Sequence, residues 1–171
     1  MSNASKEKGK TWERDVANFL SKTYGETFMR VPNSGAFIGG QNTKRKEVLH
    51  EGQIRIFKGD IIPGPSFSKM NVECKFYKEF PFHQLVSGTP IRLLDSWIEQ
   101  LLEPADENDF NILLMKFNNK GKYVVTHKKN HPPLSSFGVE YCYQKDMSIW
   151  KISEFDNFWM FNESVVRQLC S

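Results

Sequence analysis

The chain has 171 residues, 39% hydrophobic, 13% aromatic and 25% charged, which predicts one globular domain with a sizeable core and excludes general disorder. No apolar run reaches the roughly 18–20 residues of a spanning helix, and the polar, Lys-rich start reads against a secretory leader. Net charge is +3, but residues 1–80 carry 14 Lys and Arg against 9 Asp and Glu, while residues 81–171 carry 9 against 11. A basic first half suits a polyanionic partner and equally a solvated surface.

Trp12, Val16, Phe19 and Leu20 fall on one helical stripe, predicting a helix from Gly9 to about Tyr24 with Glu13 beside the buried face. A short strand is expected at Thr27–Val31, a turn at Pro32-Asn33-Ser34-Gly35, and then a long connection, Ala36 to about Gln53, holding Lys44-Arg45-Lys46. Gln53–Ile62 and Met70–Tyr77 read as a hairpin through Pro63-Gly64-Pro65-Ser66. Strand alternation in the second puts Val72, Cys74 and Phe76 on one face and Asn71, Glu73 and Lys75 on the other. Ile91–Leu102 reads as a helix buried through Leu94, Trp97, Ile98 and Leu101. A hairpin follows at Asn111–Phe117 and Lys122–Thr126, then short strands at Val139–Tyr143 and Ile149–Ile152 and a helix near Asn162–Leu169. The order predicts an α/β (α+β) domain, a mixed sheet flanked by helices.

The chemistry concentrates in Glu13, Asp60 of Lys58-Gly59-Asp60-Ile61-Ile62, and Glu73-Cys74-Lys75. Phosphodiester hydrolysis needs hard oxygen ligands for Mg²⁺ and a cation near the developing charge. Two carboxylates, Asp60 and Glu73, with Lys75 two residues beyond the second, supply those parts, and the main-chain carbonyl of Cys74 could add a metal ligand. Taken alone, Glu73 and Lys75 read as an exposed ion pair on a solvated strand face; the Gly59-Asp60 turn before them and Glu13 on the first helix favour the catalytic reading. The three scattered cysteines, Cys74, Cys142 and Cys170, suggest a reducing, cytoplasmic setting and no Cys-rich zinc site. His127 and His131 lie in a loop-like stretch without Cys partners, and Gly35-Ala36-Phe37-Ile38-Gly39-Gly40 lacks the Lys-Ser/Thr of a phosphate loop, so neither zinc nor a nucleotide cofactor is expected. Trp150, Phe155, Phe158, Trp159 and Phe161 read as core, with a stacking platform or dimer contact as the alternative.

Taken together, Lys8-Gly9-Lys10-Thr11-Trp12-Glu13-Arg14, Arg30-Val31-Pro32-Asn33-Ser34-Gly35, Gly59-Asp60-Ile61-Ile62, Val72-Glu73-Cys74-Lys75 and the helix leading into Ile112–Phe117 resemble the PD-(D/E)xK nuclease superfamily. Within it they are similar to the Holliday junction resolvases of the archaeal type and their phage relatives. The resemblance covers about residues 8–126 and implies a restriction-endonuclease-like αβββαβ core, with residues 127–171 as a C-terminal extension of a single domain. It implies Asp60 and Glu73 as metal carboxylates, Lys75 as catalytic lysine and Glu13 as the helix-borne acid. Gln100, or else Gln84, is the candidate for a Gln that family members carry on the following helix. It further implies Mg²⁺, with Mn²⁺ able to substitute, a branched DNA substrate and a homodimer, since symmetric junction cleavage needs two sites related by a two-fold axis. Candidate DNA contacts are Lys10, Arg14, Arg30, Ser34, Lys44, Arg45, Lys46, Lys58 and Gln100. Gly59 stands where the superfamily name has Pro. A restriction-like, nicking or repair nuclease, and a DNA-binding protein without catalysis, are the alternatives.

Overall fold

The computed structural model describes residues 3–32, 58–130 and 139–171. Helix α1 (Asn3–Tyr24) leads into β1 (Met29–Arg30), then β2 (Ile61–Ile62), β3 (Met70–Tyr77), a short α2 (Phe82–Ser87), α3 (Arg92–Leu102) and β4 (Phe110–Phe117). They are followed by β5 (Gly121–His127), β6 (Glu140–Lys145), β7 (Ser148–Glu154) and α4 (Phe155–Cys170). Five strands form one mixed sheet in the order β3-β4-β5-β7-β6, with β3 and β4 parallel and the other pairs antiparallel. The parallel pair follows from α3, because strands joined through a helical crossover return in the same direction. The architecture is the mixed sheet flanked by helices that the residue pattern predicts.

Two apolar layers sandwich the sheet, and β4 shows why. It is buried on both faces, so it reads as the continuous apolar run Ile112-Leu113-Leu114-Met115. Ile112 and Leu114 enter the layer under α1 and α4, with Trp12, Val16, Leu20, Phe155 and Phe158. Leu113, Met115 and Phe117 enter the opposite layer, with Leu94, Trp97, Ile98 and Leu101 of α3. The indole N–H of Trp12 donates to the Leu114 carbonyl at 3.0 Å, tying α1 to the sheet centre. Phe155, Phe158 and Trp159 are core residues, whereas Phe161 is 41% exposed. The terminal helix begins at Phe155, ahead of the expected Asn162, because the Glu154 carboxylate accepts the Asn157 N–H as an N-cap at 2.8 Å. β6, β7 and α4 complete the sheet and one of its two covering layers. No helix among the described residues is long and apolar enough to cross a membrane.

The expected hairpin of Gln53–Ile62 with Met70–Tyr77 is corrected. β2 pairs with β1, not with β3, in the register Met29 to Ile62 and Arg30 to Ile61. Residues 53–57 lie outside the described residues. The segment before β2 touches β3 through one main-chain bond, the Asp60 N–H donating to the Val72 carbonyl at 2.7 Å.

Lys58, read from the sequence as a DNA contact, is turned inward. Its side chain is 7% exposed and its ammonium pairs with Asp106 at 2.6 Å and with the buried Asp109. That pin ties the stretch entering Gly59-Asp60 to the loop between α3 and β4. Lys58→Met should therefore destabilise the fold by about 3–5 kcal/mol in urea titration, since it strands the Asp109 carboxylate in the interior. Lys58→Met combined with Asp109→Leu should recover most of the loss.

Candidate active site

The site is built on the outer edge of β3. In extended backbone, a residue's N–H and C=O leave the strand on the same side, and alternate residues share that side. The outward groups of Val72 and Cys74 meet no sixth strand of this sheet among the described residues; they meet Asp60. The Asp60 N–H donates to the Val72 carbonyl at 2.7 Å, and one Asp60 carboxylate oxygen accepts the Cys74 N–H at 2.8 Å. The Cys74 carbonyl accordingly leaves β3 on the side of Asp60.

Gly59 makes this docking possible. Its φ is +66°, a left-handed conformation, and a Cβ added there would lie 2.3 Å from the Val72 carbonyl oxygen and 2.9 Å from the Asn71 side-chain oxygen. Only a residue without a side chain can sit there. This is the physical reason why Gly stands at this position.

Glu73 and Lys75 share the face of β3 opposite Val72, Cys74 and Phe76, as alternation predicts. That face is not solvated. Glu73 and Lys75 are only 13% and 16% exposed at their side chains, and their charged ends pair at 2.5 Å. Gln100, on the last turn of α3, accepts a second hydrogen bond from the Lys75 ammonium at 2.6 Å. Gln100, not Gln84 on α2, is the amide that reaches the lysine.

Glu13 comes from α1 and is 9% exposed. Arg30 on β1 donates from Nε to its carboxylate at 2.5 Å, while the next residue, Val31, donates its N–H to the Asp60 carbonyl at 2.9 Å. The two-residue ribbon thus carries Arg30 to a place between the helix and Asp60.

The electrostatics mark the cluster. Burial, then the nearby Asp60, pushes the Glu73 carboxyl up to about 7. Glu13 is raised for the same two reasons, against the pull of Arg30. Burial works to lower the Lys75 ammonium, but Glu73 and Asp60 outweigh it and hold it above the ordinary lysine value. Burial, then the surrounding carboxylates, lifts the Cys74 thiol well above its usual range, which argues against a thiolate nucleophile. Three buried carboxylates raise the cost of one another's ionisation. Among the described residues no group of three or more His, Cys, Asp or Glu is arranged to hold a metal ion. The donor set that fits a hard cation is narrower: Asp60, Glu73 and the Cys74 carbonyl, all oxygens, with the Glu13 carboxylate nearby.

The remaining sequence candidates scatter. Lys10 and Arg14 lie exposed on α1, each 3.6 Å from Glu7. Ser34, Lys44, Arg45 and Lys46 lie outside the described residues, as do His50 and His131. His127 packs edge-on against Trp150. Sequence reasoning missed Asp106 and Asp109, the partners of Lys58. It also missed the full burial of Asn71, whose amide donates to the Leu101 carbonyl at 2.8 Å and to Asn111 at 2.6 Å. A polar residue inside an apolar strand run was the available signal.

Compared with known proteins, the chain matches the family model "Phage putative PDDEXK endonuclease" over residues 4–162. It is 27% identical over 131 residues to Protein D14 of Escherichia phage T5, covering 75% of this chain and 73% of that one. No solved structure matches.

Gly59→Ala should lower stability and cleavage together, because the new methyl group pushes residues 58–60 off β3 and takes Asp60 with them. Gly59→Pro, which restores the residue of the superfamily name, should fare no better, since proline holds φ near −65°. Melting curves and cleavage rates of the two variants check this. A second expectation concerns pH. The Glu73 carboxyl holds its proton more tightly folded, at about 7, than at its ordinary 4.5, so the stability it contributes is full below 4.5 and lost as pH rises through 7. In metal-free buffer the melting temperature should fall between about pH 5 and 8. Asp60→Asn, which removes one cause of the shift, should flatten that fall.

Proposed function

From the premise that this chain belongs to the phage PDDEXK endonuclease family of the PD-(D/E)xK nuclease superfamily, we propose that it is a divalent-metal-dependent DNA endonuclease that resolves four-way junctions as a homodimer. The observation that carries the catalytic part is the docking of Asp60 onto the main chain of Val72 and Cys74, on either side of Glu73. It gathers two carboxylates, a carbonyl and a lysine at one strand edge. The junction preference and the dimer rest on the resemblance of the motif set to junction resolvases and on the two-fold symmetry of the substrate.

Asp60, Glu73 and the Cys74 carbonyl would hold the cation, preferably Mg²⁺ with Mn²⁺ as substitute. When bound, it supplies polarisation of a phosphoryl oxygen and acidifies a water. The chain's own residues do the rest. Lys75 has three N–H donors, of which Glu73 and Gln100 accept two, so a third is oriented without a search through rotamers. It can direct the attacking water or meet charge growing on the phosphate. Glu13, kept in place by Arg30, adds a carboxylate whose raised affinity for protons suits accepting one. Glu13, Asp60, Glu73 and Lys75 are themselves largely buried, in a medium where each charge acts strongly.

Asp60→Asn and Glu73→Gln should each reduce cleavage by at least about 10²-fold while DNA binding in metal-free buffer holds or tightens, because a charge that repels phosphates is gone. Gel-shift and cleavage assays on the same preparations, with matched four-way junction, duplex and single-stranded DNA, decide the reading. Junction DNA should be cut in preference to duplex of the same sequence. Equal rates on duplex, or dependence on a short sequence, would move the assignment to a restriction-like or repair nuclease. An Asp60→Asn protein that cuts at the wild-type rate would displace the site.

A further inference from the structure

A second feature lies on the other flank of α1. Glu13 and Asp15 are two residues apart on the helix, about 200° around its axis, so the flank carrying Asp15 faces away from the catalytic carboxylates. There a cleft of about 490 Å³ opens between α1, the β4–β5 hairpin and the start of α4, lined by Trp12, Asp15, Lys116, Asn119, Lys122 and Phe155 among others. The Lys116 ammonium sits 5.0 Å from the centre of the Trp12 ring and 5.2 Å from that of Phe76. Lys122 sits 4.6 Å over Phe155. Lys8, from the same flank of α1, lies 5.8 Å over Phe76.

Such stacking holds an ammonium in a defined place against an apolar wall. Both lysines are paired with carboxylates: Asp15, which lines the cleft, is 3.3 Å from Lys116, and Asp156, in the first turn of α4, is 2.8 Å from Lys122. These pairs are open to water, with side-chain exposures of 30% and 48% in the first and 33% and 64% in the second. Exposed pairs of this kind contribute little, so a backbone phosphate can compete for either ammonium. A phosphate that replaced either carboxylate would meet an ammonium already placed, on an aromatic floor.

Register connects this cleft to the catalytic strand. Phe76, the residue after Lys75, pairs with Lys116 on β4, so the Lys116 row begins one residue past the catalytic lysine on the adjoining strand, but on the opposite face of the sheet. A single straight duplex groove does not fit around both flanks of a helix. Two strands or two arms diverging at α1 do. We propose that the Lys116–Lys122 cleft, with Lys8 beside it over Phe76, is a second DNA-backbone contact, taking the phosphates of a strand or arm that diverges from the one held at Asp60, Glu73 and Lys75. The proposal rests on the nuclease reading and adds to it a surface that selects branched over linear DNA.

The test is fluorescence anisotropy of a labelled four-way junction and a labelled duplex of the same sequence, in EDTA, across a salt series. Wild type, Lys116→Gln/Lys122→Gln, and Asp15→Asn/Asp156→Asn are compared, with Asp60→Asn as reference. The lysine double variant should bind the junction more weakly and lose about 1.8 from the slope of log affinity against log salt, about 0.9 for each phosphate contact. The aspartate double variant should bind the junction more tightly than wild type, since it releases both ammoniums from their carboxylates. Both effects should be larger on the junction than on the duplex. An unchanged slope for a folded lysine variant would overturn the second contact while wild-type binding keeps the nuclease reading intact. If the lysine variant fails to fold, unchanged affinity of the aspartate variant overturns it equally. Absence of DNA binding by both wild type and Asp60→Asn would instead remove the nuclease reading itself.

Discussion

Residues 58–60 are clasped to the edge of β3, and the site exists only through that clasp. Gly59 must take a left-handed φ with no side chain against the Val72 carbonyl. Asp60 then uses its own N–H and its carboxylate to satisfy two outward groups of β3 that a neighbouring strand would otherwise pair. Lys58 anchors the near end of the segment in a buried ion pair. A sheet edge is a row of unsatisfied hydrogen-bonding groups and a route to aggregation. Here the groups beside the motif are spent on fixing an acid, so edge protection and construction of the site are one arrangement. β1 hangs from the same segment through the Val31 to Asp60 bond, and with it Arg30 and its hold on Glu13.

The charges show what the arrangement costs. Glu13, Asp60 and Glu73 stand close together with little water, and the proton affinities of Glu73 and Glu13 rise accordingly. Arg30 and Lys75 offset part of this, each at 2.5 Å from a carboxylate. Such crowding opposes folding, and sites that keep it do so for chemistry rather than stability. The aromatic packing of α1 and α4, such as Phe19 on Phe155 at 4.9 Å between ring centres, supplies apolar burial that counters the strain. Trp12 belongs to that packing and to α1 at once, so the helix that delivers Glu13 is itself a core element.

How much was legible in the sequence depended on the range of the interaction. Strand alternation around Glu73 and Lys75, the buried stripes of α1 and α3, and the Gly-turned hairpin between β4 and β5 are local patterns, readable because side-chain direction repeats every 2 or 3.6 residues. Glu13, Asp60, Glu73 and Lys75 stood out as a set through the joint pattern of their motifs, each weak alone, and the fold brings the four side chains together. Lys58 was misread for the opposite reason: a lysine beside a motif reads as a surface charge until Asp106 and Asp109, far along the chain, close over it. The pairing of β2 was misread likewise. Turn residues between two apolar runs suggest a hairpin, yet Asp60 needs the β3 edge for its carboxylate, and β2 pairs with β1 instead.

The sequence by itself determined the fold class, the layers of the core and the identity of the chemical groups, since hydrophobic period and residue type are properties of short stretches. Only the tertiary structure decided that Gly59 is indispensable, that Gln100 and not Gln84 meets Lys75, and that Arg30 reaches Glu13. It also decided that Lys116 and Lys122 stand over aromatic rings in a cleft beyond α1. Each of these depends on where two distant segments cross. A crossing is set by the packing of whole elements against one another, and no local pattern of residues encodes it.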